Sequence, residues 1–480
     1  LDGVQAVQTE VNHPDEISTL FDGAIVYAKG GRLLRMLQEY IGHDAFRDGL
    51  RSYFKTYAYQ NTDGNDLWAE LSKASGKDIT DFMNTWISQP GYPVVHVEEN
   101  GLRQEQFFVG EHKPSMQAWP IPLGATVPLT TSLFDQMTSN IQIMPGDRLN
   151  VGDAAHFITH YPADHLSVLI DDVRTGKLQP IDRLQLLHEQ TMLARGSVIS
   201  SAELIPLIQA YKDETVENVW DIIGLTIGEL KKFVEADKDT EGQLRELSRT
   251  TAEREYRRLG WKQQKNEPAT DTKLRATILG MTLYGEGKDA IATAHELYQK
   301  GIETLDPELR SLIISNEVRH FETPELITSL IERYRTTPSA DLQMDICSGL
   351  TSTKNPVTIE KLLLIIKDSA VVRSQDAFRW FVYLIRNRDS RQAAWQWLTQ
   401  SWDWVEKTYG GDKSFDDFPR YAATGLATRE QLDEYVKFFT PMIDVPALAR
   451  VIQLGISEIT ARVELIERDA EDVRKALAAI

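Results

Sequence analysis

From Pro180 to the end of the chain, apolar residues recur at helical spacing and almost no other periodicity is present. Stripes such as Leu274-Ile278-Met281, Leu326-Leu330-Ile331, Leu362-Leu363-Ile366 and Val451-Ile459-Val463 follow one another, punctuated by Gly196, Gly285, Gly301 and Gly349. Pro180 suits a first helical position. Ser200 with Glu203 and Thr428 with Gln431 have capping-box spacing. A new stripe begins about every 20 residues, so a helix pair takes roughly 40, within the range of HEAT and armadillo units. The stripes differ too much in sequence to be exact repeats. The expectation is a degenerate helical array whose stacked pairs curve and create a concave face.

Upstream the period changes twice. Residues 15–89 read as helices. Leu33, Leu34, Leu37 and Ile41 form one stripe closed by Gly42, and Phe46, Leu50, Tyr53, Phe54 and Tyr57 form the next. Thr62 or Asp63 can cap a third helix that stops near Gly76, and a fourth turns Phe82, Met83 and Trp86 inward. After Tyr92 the period becomes two. Pro93 to Glu99 and Leu102 to Val109 flank Asn100-Gly101, which predicts a hairpin with a type I′ turn. Further strands are expected over Ala125 to Phe134, Asn140 to Met144, Ala155 to His160 and Leu166 to Ile170, together suggesting a small β-sandwich.

With 480 residues and 42% hydrophobic composition, the chain can bury several cores, and usual domain sizes suggest about three domains. No run approaches the roughly 18 apolar residues of a membrane helix, so no membrane segment is expected. A net charge of −19 argues against a nucleic-acid partner, because binding phosphates needs clustered Lys and Arg. The single cysteine, Cys347, rules out an internal disulfide, and no Asn-x-Ser/Thr acceptor occurs. A soluble, cytoplasmic protein is the expectation.

One stretch carries chemistry. Tyr27-Ala28-Lys29-Gly30 stands immediately before the helix containing Leu33, Leu34, Met36 and Leu37. Downstream come Trp86-Ile87-Ser88-Gln89-Pro90-Gly91-Tyr92-Pro93, then Trp119-Pro120-Ile121-Pro122-Leu123, then Asp182-Arg183-Leu184-Gln185-Leu186-Leu187. In this order the blocks resemble the aminopeptidase N family of zinc metallopeptidases, and the resemblance covers essentially the whole chain. Ile158 aligns with a position where members often carry an arginine.

The resemblance implies a mainly α, multidomain fold. Residues 1–92 would be the C-terminal helical part of a thermolysin-like catalytic domain, 93–175 a β-sandwich and 176–480 a HEAT/armadillo-like superhelix. It also implies a parent enzyme that removes N-terminal residues from peptides, with the helical array restricting entry to short or unfolded ones. Zn2+ would bind in the full-length parent. The family's H-E-x-x-H motif is absent: Met192 follows His188-Glu189 and Gln299 follows His295-Glu296 where the second imidazole would stand. The zinc ligands are therefore expected upstream, on a missing N-terminal catalytic portion that would be this chain's partner, and no metal or cofactor residue is expected here.

The resemblance makes Tyr27 the catalytic residue. A phenol within reach of the oxygen that becomes negative during amide hydrolysis stabilises the transition state more than the ground state. From spacing alone Tyr27 would be an aromatic packed at a helix start; the motif and its colinear blocks favour the catalytic reading. Lys29 reads as structural or solvent-facing, and Gly30 as permitting close packing or unusual dihedrals. His13 and His43 read as surface or capping residues. His156, His160 and His165 cluster in sequence but lack a completing Cys or carboxylate. The tryptophans at 380, 395, 397, 402 and 404 read as inter-helix core, and Glu241 to Arg258 as a solvated helix face. A non-enzymatic scaffold binding peptide segments on the concave face is the alternative, but it gives no reason for the blocks of the first ninety or so residues. An enzyme of leukotriene hydrolase type shares the Tyr motif but normally lacks the β-sandwich.

Overall fold

The computed structural model describes residues 5–11, 14, 17–110, 115–129, 131–412 and 414–480. Asp15, which opens the first helical pattern, and His13, read as a surface or capping residue, lie outside these residues. The chain divides into two compact units, Leu1–Ile199 and Ser200–Ile480.

The first unit begins with helix α1 (Ile17–Leu20) and a π-helical turn over Ala24–Lys29. Helices α2 (Gly30–Ile41), α3 (His43–Thr56), α4 (Gly64–Ser75) and α5 (Ile79–Ser88) follow. In α2 the buried stripe is Leu33, Met36 and Leu37, while Leu34 turns outward. Gly42 ends α2 with φ +88°. In α3 the expected aromatic stripe is only half-buried, and Phe54 is exposed. The helix instead meets α4 through Gly49, where an added Cβ would lie 2.7 Å from a Leu71 methyl. Asp63, rather than Thr62, caps α4 in a reciprocal box with Asp66, and Gly76 ends it in the left-handed region. Phe82, Met83 and Trp86 of α5 are buried as their spacing predicts.

The β-layer is a small mixed sheet. Strands β1 (Pro93–Glu98), β2 (Gly101–Gln106), β5 (Thr138–Ser139) and β6 (Ile158–His160) pair in the order β5-β2-β1-β6, with β1 and β6 parallel. A separate ribbon joins β3 (Ile121–Pro122) to β4 (Leu133–Phe134). The β1–β2 hairpin forms, with Glu98 opposite Gly101, but its turn is not type I′, because neither Glu99 nor Asn100 has a positive φ. Gly101 (φ +143°) is required for another reason: a Cβ there would lie 1.8 Å from the Ser139 carbonyl oxygen of β5.

Residues 140–144 form no strand, and of 125–134 only the last two belong to one. Leu166 to Ile170 lies inside a helix, α6 (Ala163–Arg174). The short apolar run resembles a strand, yet Leu166, Leu169 and Val173 are buried at i, i+3 and i+7, the spacing of one helical face. Helix α7 (Pro180–Arg195), with Pro180 in its first turn, closes the unit.

The second unit is helical throughout its described residues. Its first helices are α8 (Leu204–Ala210), α9 (Glu217–Val234), α10 (Lys238–Leu259), α11 (Ala269–Tyr284) and α12 (Lys288–Tyr298). Next come α13 (Pro307–Phe321), α14 (Pro324–Thr336), α15 (Ala340–Leu350), α16 (Pro356–Ile365) and α17 (Ser374–Arg386). The last are α18 (Arg391–Gln400), α19 (Trp402–Tyr409), α20 (Asp417–Gly425), α21 (Arg429–Phe439) and α22 (Pro446–Ala478). Helices α9, α11, α13 and α15 pack on one another in a row, with α10, α12 and α14 alongside, as in stacked helix pairs.

The tryptophans at 380, 395, 397 and 402 are buried in the core, with Trp404 packed against it. Helix α10 has the expected solvated face, with Glu246, Arg254 and Arg257 exposed, but not all of its charges lie on it. Glu241 and Glu255 are buried, Glu255 bonded by Arg258 at 2.7 Å and Glu241 by Arg245 at 2.7 Å. The Ser200–Glu203 box forms as expected. At Thr428 only half of the box does, since Gln431 Oε1 accepts from the Ala427 amide instead. The long α22 returns to the start of the unit, where Asp469 accepts from the Ser201 amide at 2.8 Å. No described helix is long and apolar enough to cross a membrane.

Candidate functional site

Tyr27 sits on the π-helical turn, a rare geometry that is frequent at functional sites. Asp22 starts the turn, its carboxylate accepting from the Ala24 amide at 2.8 Å. Tyr27 is 69% exposed, and Phe21 meets its ring edge-on at 5.9 Å. Among the described residues its hydroxyl has no hydrogen-bond partner, so the phenol is free to donate to a ligand oxygen.

Two cations fix this turn from below. Lys29 is buried, and its Nζ donates to the Gly91 carbonyl at 2.7 Å and the Gln89 carbonyl at 3.2 Å. Burial lowers its pKa to about 8. Three residues on, at the start of α2, Arg32 grips Asp153 with two hydrogen bonds of 2.6 and 2.8 Å and donates to the Ala155 carbonyl at 2.7 Å. The loop that receives it is held by Asn150, which exchanges side-chain hydrogen bonds with the backbone of Ala155 at 2.7 and 3.0 Å.

The sequence blocks converge here. The Lys29 clasp closes on residues 89–91. Trp86 Nε1 donates to the Pro120 carbonyl at 3.0 Å, joining that block to the next. Asp182 forms a buried ion pair with Arg148 at 2.9 Å and accepts from the Gly152 amide at 3.0 Å. Ile158, aligned with an arginine position, is buried on β6 opposite Val94. Gly30 has ordinary helical dihedrals and no neighbour within 3.9 Å of an added Cβ, so nothing in the structure requires glycine there.

The histidines are held apart. His156 packs between Trp86 and Tyr92, and burial, then Lys29 and Arg32, lowers its pKa to about 3. His160 lies 2.9 Å from His96 between ring nitrogens, and His165 lies 2.7 Å from the Asp147 carbonyl. His43 is exposed at the start of α3. Among the described residues no group of three His, Cys, Asp or Glu is placed to hold a metal ion.

The structural role of Arg32 was missed in the sequence, although it lies three positions after Lys29 and therefore shares its helix face.

Residues 148–461 match the ERAP1-like C-terminal domain, and residues 1–86 match the peptidase family M1 domain. The chain belongs to the M1 peptidase family. It is 37% identical to aminopeptidase N of Lactobacillus helveticus over 99% of its own length, and 35% identical to aminopeptidase N of Lactococcus lactis subsp. lactis over 99%. Aminopeptidase M1-C of Oryza sativa subsp. japonica is 26% identical over 96% of the chain. The chain spans 58% of the length of each of the two bacterial relatives and 55% of the rice protein. The M1 match ends at residue 86, within α5, and the second match begins in the loop that receives Arg32.

Proposed function

We propose that this chain is part of a zinc-dependent aminopeptidase that removes the N-terminal residue of peptides, and that Tyr27 is its transition-state hydrogen-bond donor. Attack of water on the scissile carbonyl makes the carbon tetrahedral and places negative charge on its oxygen. The Tyr27 hydroxyl donates to that oxygen, which holds more charge in the transition state than in the substrate, so the bond lowers the barrier. The zinc ligands would be supplied from outside these 480 residues. Residues 1–92 complete the catalytic domain, 93–175 form the β-module and 176–480 the helical array.

The observation that carries the reading is an exposed phenol, unpartnered among the described residues, on a π-helical turn held by Lys29 and Arg32. Membership of the M1 family supports it. The test is hydrolysis of an aminoacyl fluorogenic amide by the 480-residue chain, with and without added zinc, and again after adding the zinc-binding portion of an aminopeptidase N. Turnover is expected only in the last case. Zinc-dependent turnover by the chain alone would overturn the division of the site.

A further inference from the structure

The second unit contains a cavity of about 480 Å³ bordered by the C-terminal ends of α9, α13 and α17 and by the start of α10. Its charge runs against the composition of the protein. Lys231, Arg245, Arg319, Arg386 and Arg388 line it, against Glu235, Glu241, Glu286 and Asp389. Glu235 is engaged by Arg391 in two hydrogen bonds of 2.7 and 3.0 Å. Five cations face four carboxylates across the lining, and Arg391, outside it, further neutralises Glu235, so the wall carries a positive excess in a chain of net charge −19.

The carboxylates are unevenly shared. Glu241 serves both Arg245 and Arg388, and Glu286 pairs with Arg245 as well. Among the described residues, Lys231, Arg319 and Arg386 form no ion pair within 4 Å, although Asp389 and Glu241 act on Arg319 from farther away. Lys231 Nζ lies 3.8 Å from the centre of the Tyr284 ring, and Arg386 lies 5.3 Å from that of Tyr421. Arg319 donates once, to the Ser352 carbonyl at 3.0 Å.

An ammonium has three donors and a guanidinium five, so most of this donor capacity is unfilled. The helix C-termini explain why cations collect here, since their carbonyl ends favour positive charge within the last turn. They do not fill the donors. Lys231 is exposed, but the protein around its ammonium partly desolvates it, and Arg319 and Arg245 repel it. Its pKa falls to about 8 as a result. His320, on the same wall, falls to about 4 through desolvation and then the cations Lys354, Arg319 and Arg245.

We propose that this cavity is a binding site for a small multivalent oxyanion, a phosphate or a dicarboxylate, held by Lys231, Arg319 and Arg386. A multivalent anion complements this positive excess, and oxygens in a compact array fill donors that the protein leaves open. The proposal does not depend on the role of Tyr27.

The test is calorimetric titration of the full chain with inorganic phosphate and with succinate at constant ionic strength, repeated on Lys231→Gln, Arg386→Gln and the double variant. Saturable binding is expected, weakened about tenfold or more by each substitution, with Lys231→Arg restoring most of it. The variants' circular dichroism and melting should match the parent's, which separates lost binding from lost fold. No saturable binding of either anion, or undiminished binding by the folded double variant, would overturn the proposal. Binding of an acidic peptide but of neither small anion would overturn the small-ligand assignment.

Discussion

Replacing Lys29 with Met tests whether the turn under Tyr27 is held by its clasp on the 89–91 carbonyls. Lys29 donates two charge-assisted hydrogen bonds, at 2.7 and 3.2 Å, from a buried position. Such bonds contribute about 1.5–3 kcal/mol each. Opposing them is the cost of keeping an ammonium where burial lowers its pKa from 10.5 to about 8. Methionine removes both effects and leaves the Gln89 and Gly91 carbonyls without this donor, for a net local loss of roughly 2 kcal/mol.

Amide exchange across residues 24–32 and 86–93 should then accelerate by about 30-fold, since 1.4 kcal/mol corresponds to tenfold. The sign of the pH effect is fixed by the lowered pKa. Between pH 8 and 10.5 the unfolded chain holds the lysine proton and the folded chain has released it, so Lys29 makes stability rise with pH across that window. Lys29→Met should lack this rise. In an intact enzyme carrying the substitution, a displacement of about 1 Å at the Tyr27 hydroxyl should lower kcat by roughly 10- to 100-fold, with KM nearly unchanged. Faster exchange with undiminished kcat would refute the reasoning, because the clasp would then serve stability alone.

Gly101→Ala should separate β5 from β2, because the new Cβ would lie 1.8 Å from the Ser139 oxygen in a backbone of φ +143°. A loss of about 2 kcal/mol or more is expected, read by chemical denaturation and by exchange at residues 101–106. His156 is buried neutral, so stability should fall as pH drops from 6.5 towards 3, where the unfolded chain takes up a proton and the folded one does not. His156→Gln should flatten that acid limb, as followed by urea titrations at several pH values.

The helical half was legible because it rests on local pattern, whereas Tyr27 was singled out by a family resemblance and its role is a proposal. Tyr27-Ala28-Lys29-Gly30 is contiguous, and stripes such as Leu362-Leu363-Ile366 repeat within a few residues. Lys29 was harder, because its acceptors are carbonyls some sixty positions away and a carbonyl has no residue identity to read. Arg32 was invisible for the same reason, since its partners Asp153 and Ala155 belong to a loop with no periodicity. Leu166 to Ile170 was misread because five residues cannot separate a buried strand from a helix; Val173 decides the matter. Asn100-Gly101 suggested a turn type, whereas the glycine answers to the close approach of Ser139 on a strand more than thirty residues downstream. Glu255 shows how charge patterning misleads: a carboxylate bonded by Arg258 is fully buried on a helix that reads as polar.

The most direct measurement of the central claim is the turnover of an intact aminopeptidase N carrying Tyr27→Phe, which removes one hydroxyl and keeps the ring against Phe21. Loss of a transition-state donor should lower kcat by roughly 100- to 1000-fold while KM and zinc content stay near the parent values. Turnover within a few-fold of the parent would contradict the account and remove Tyr27 from the chemistry.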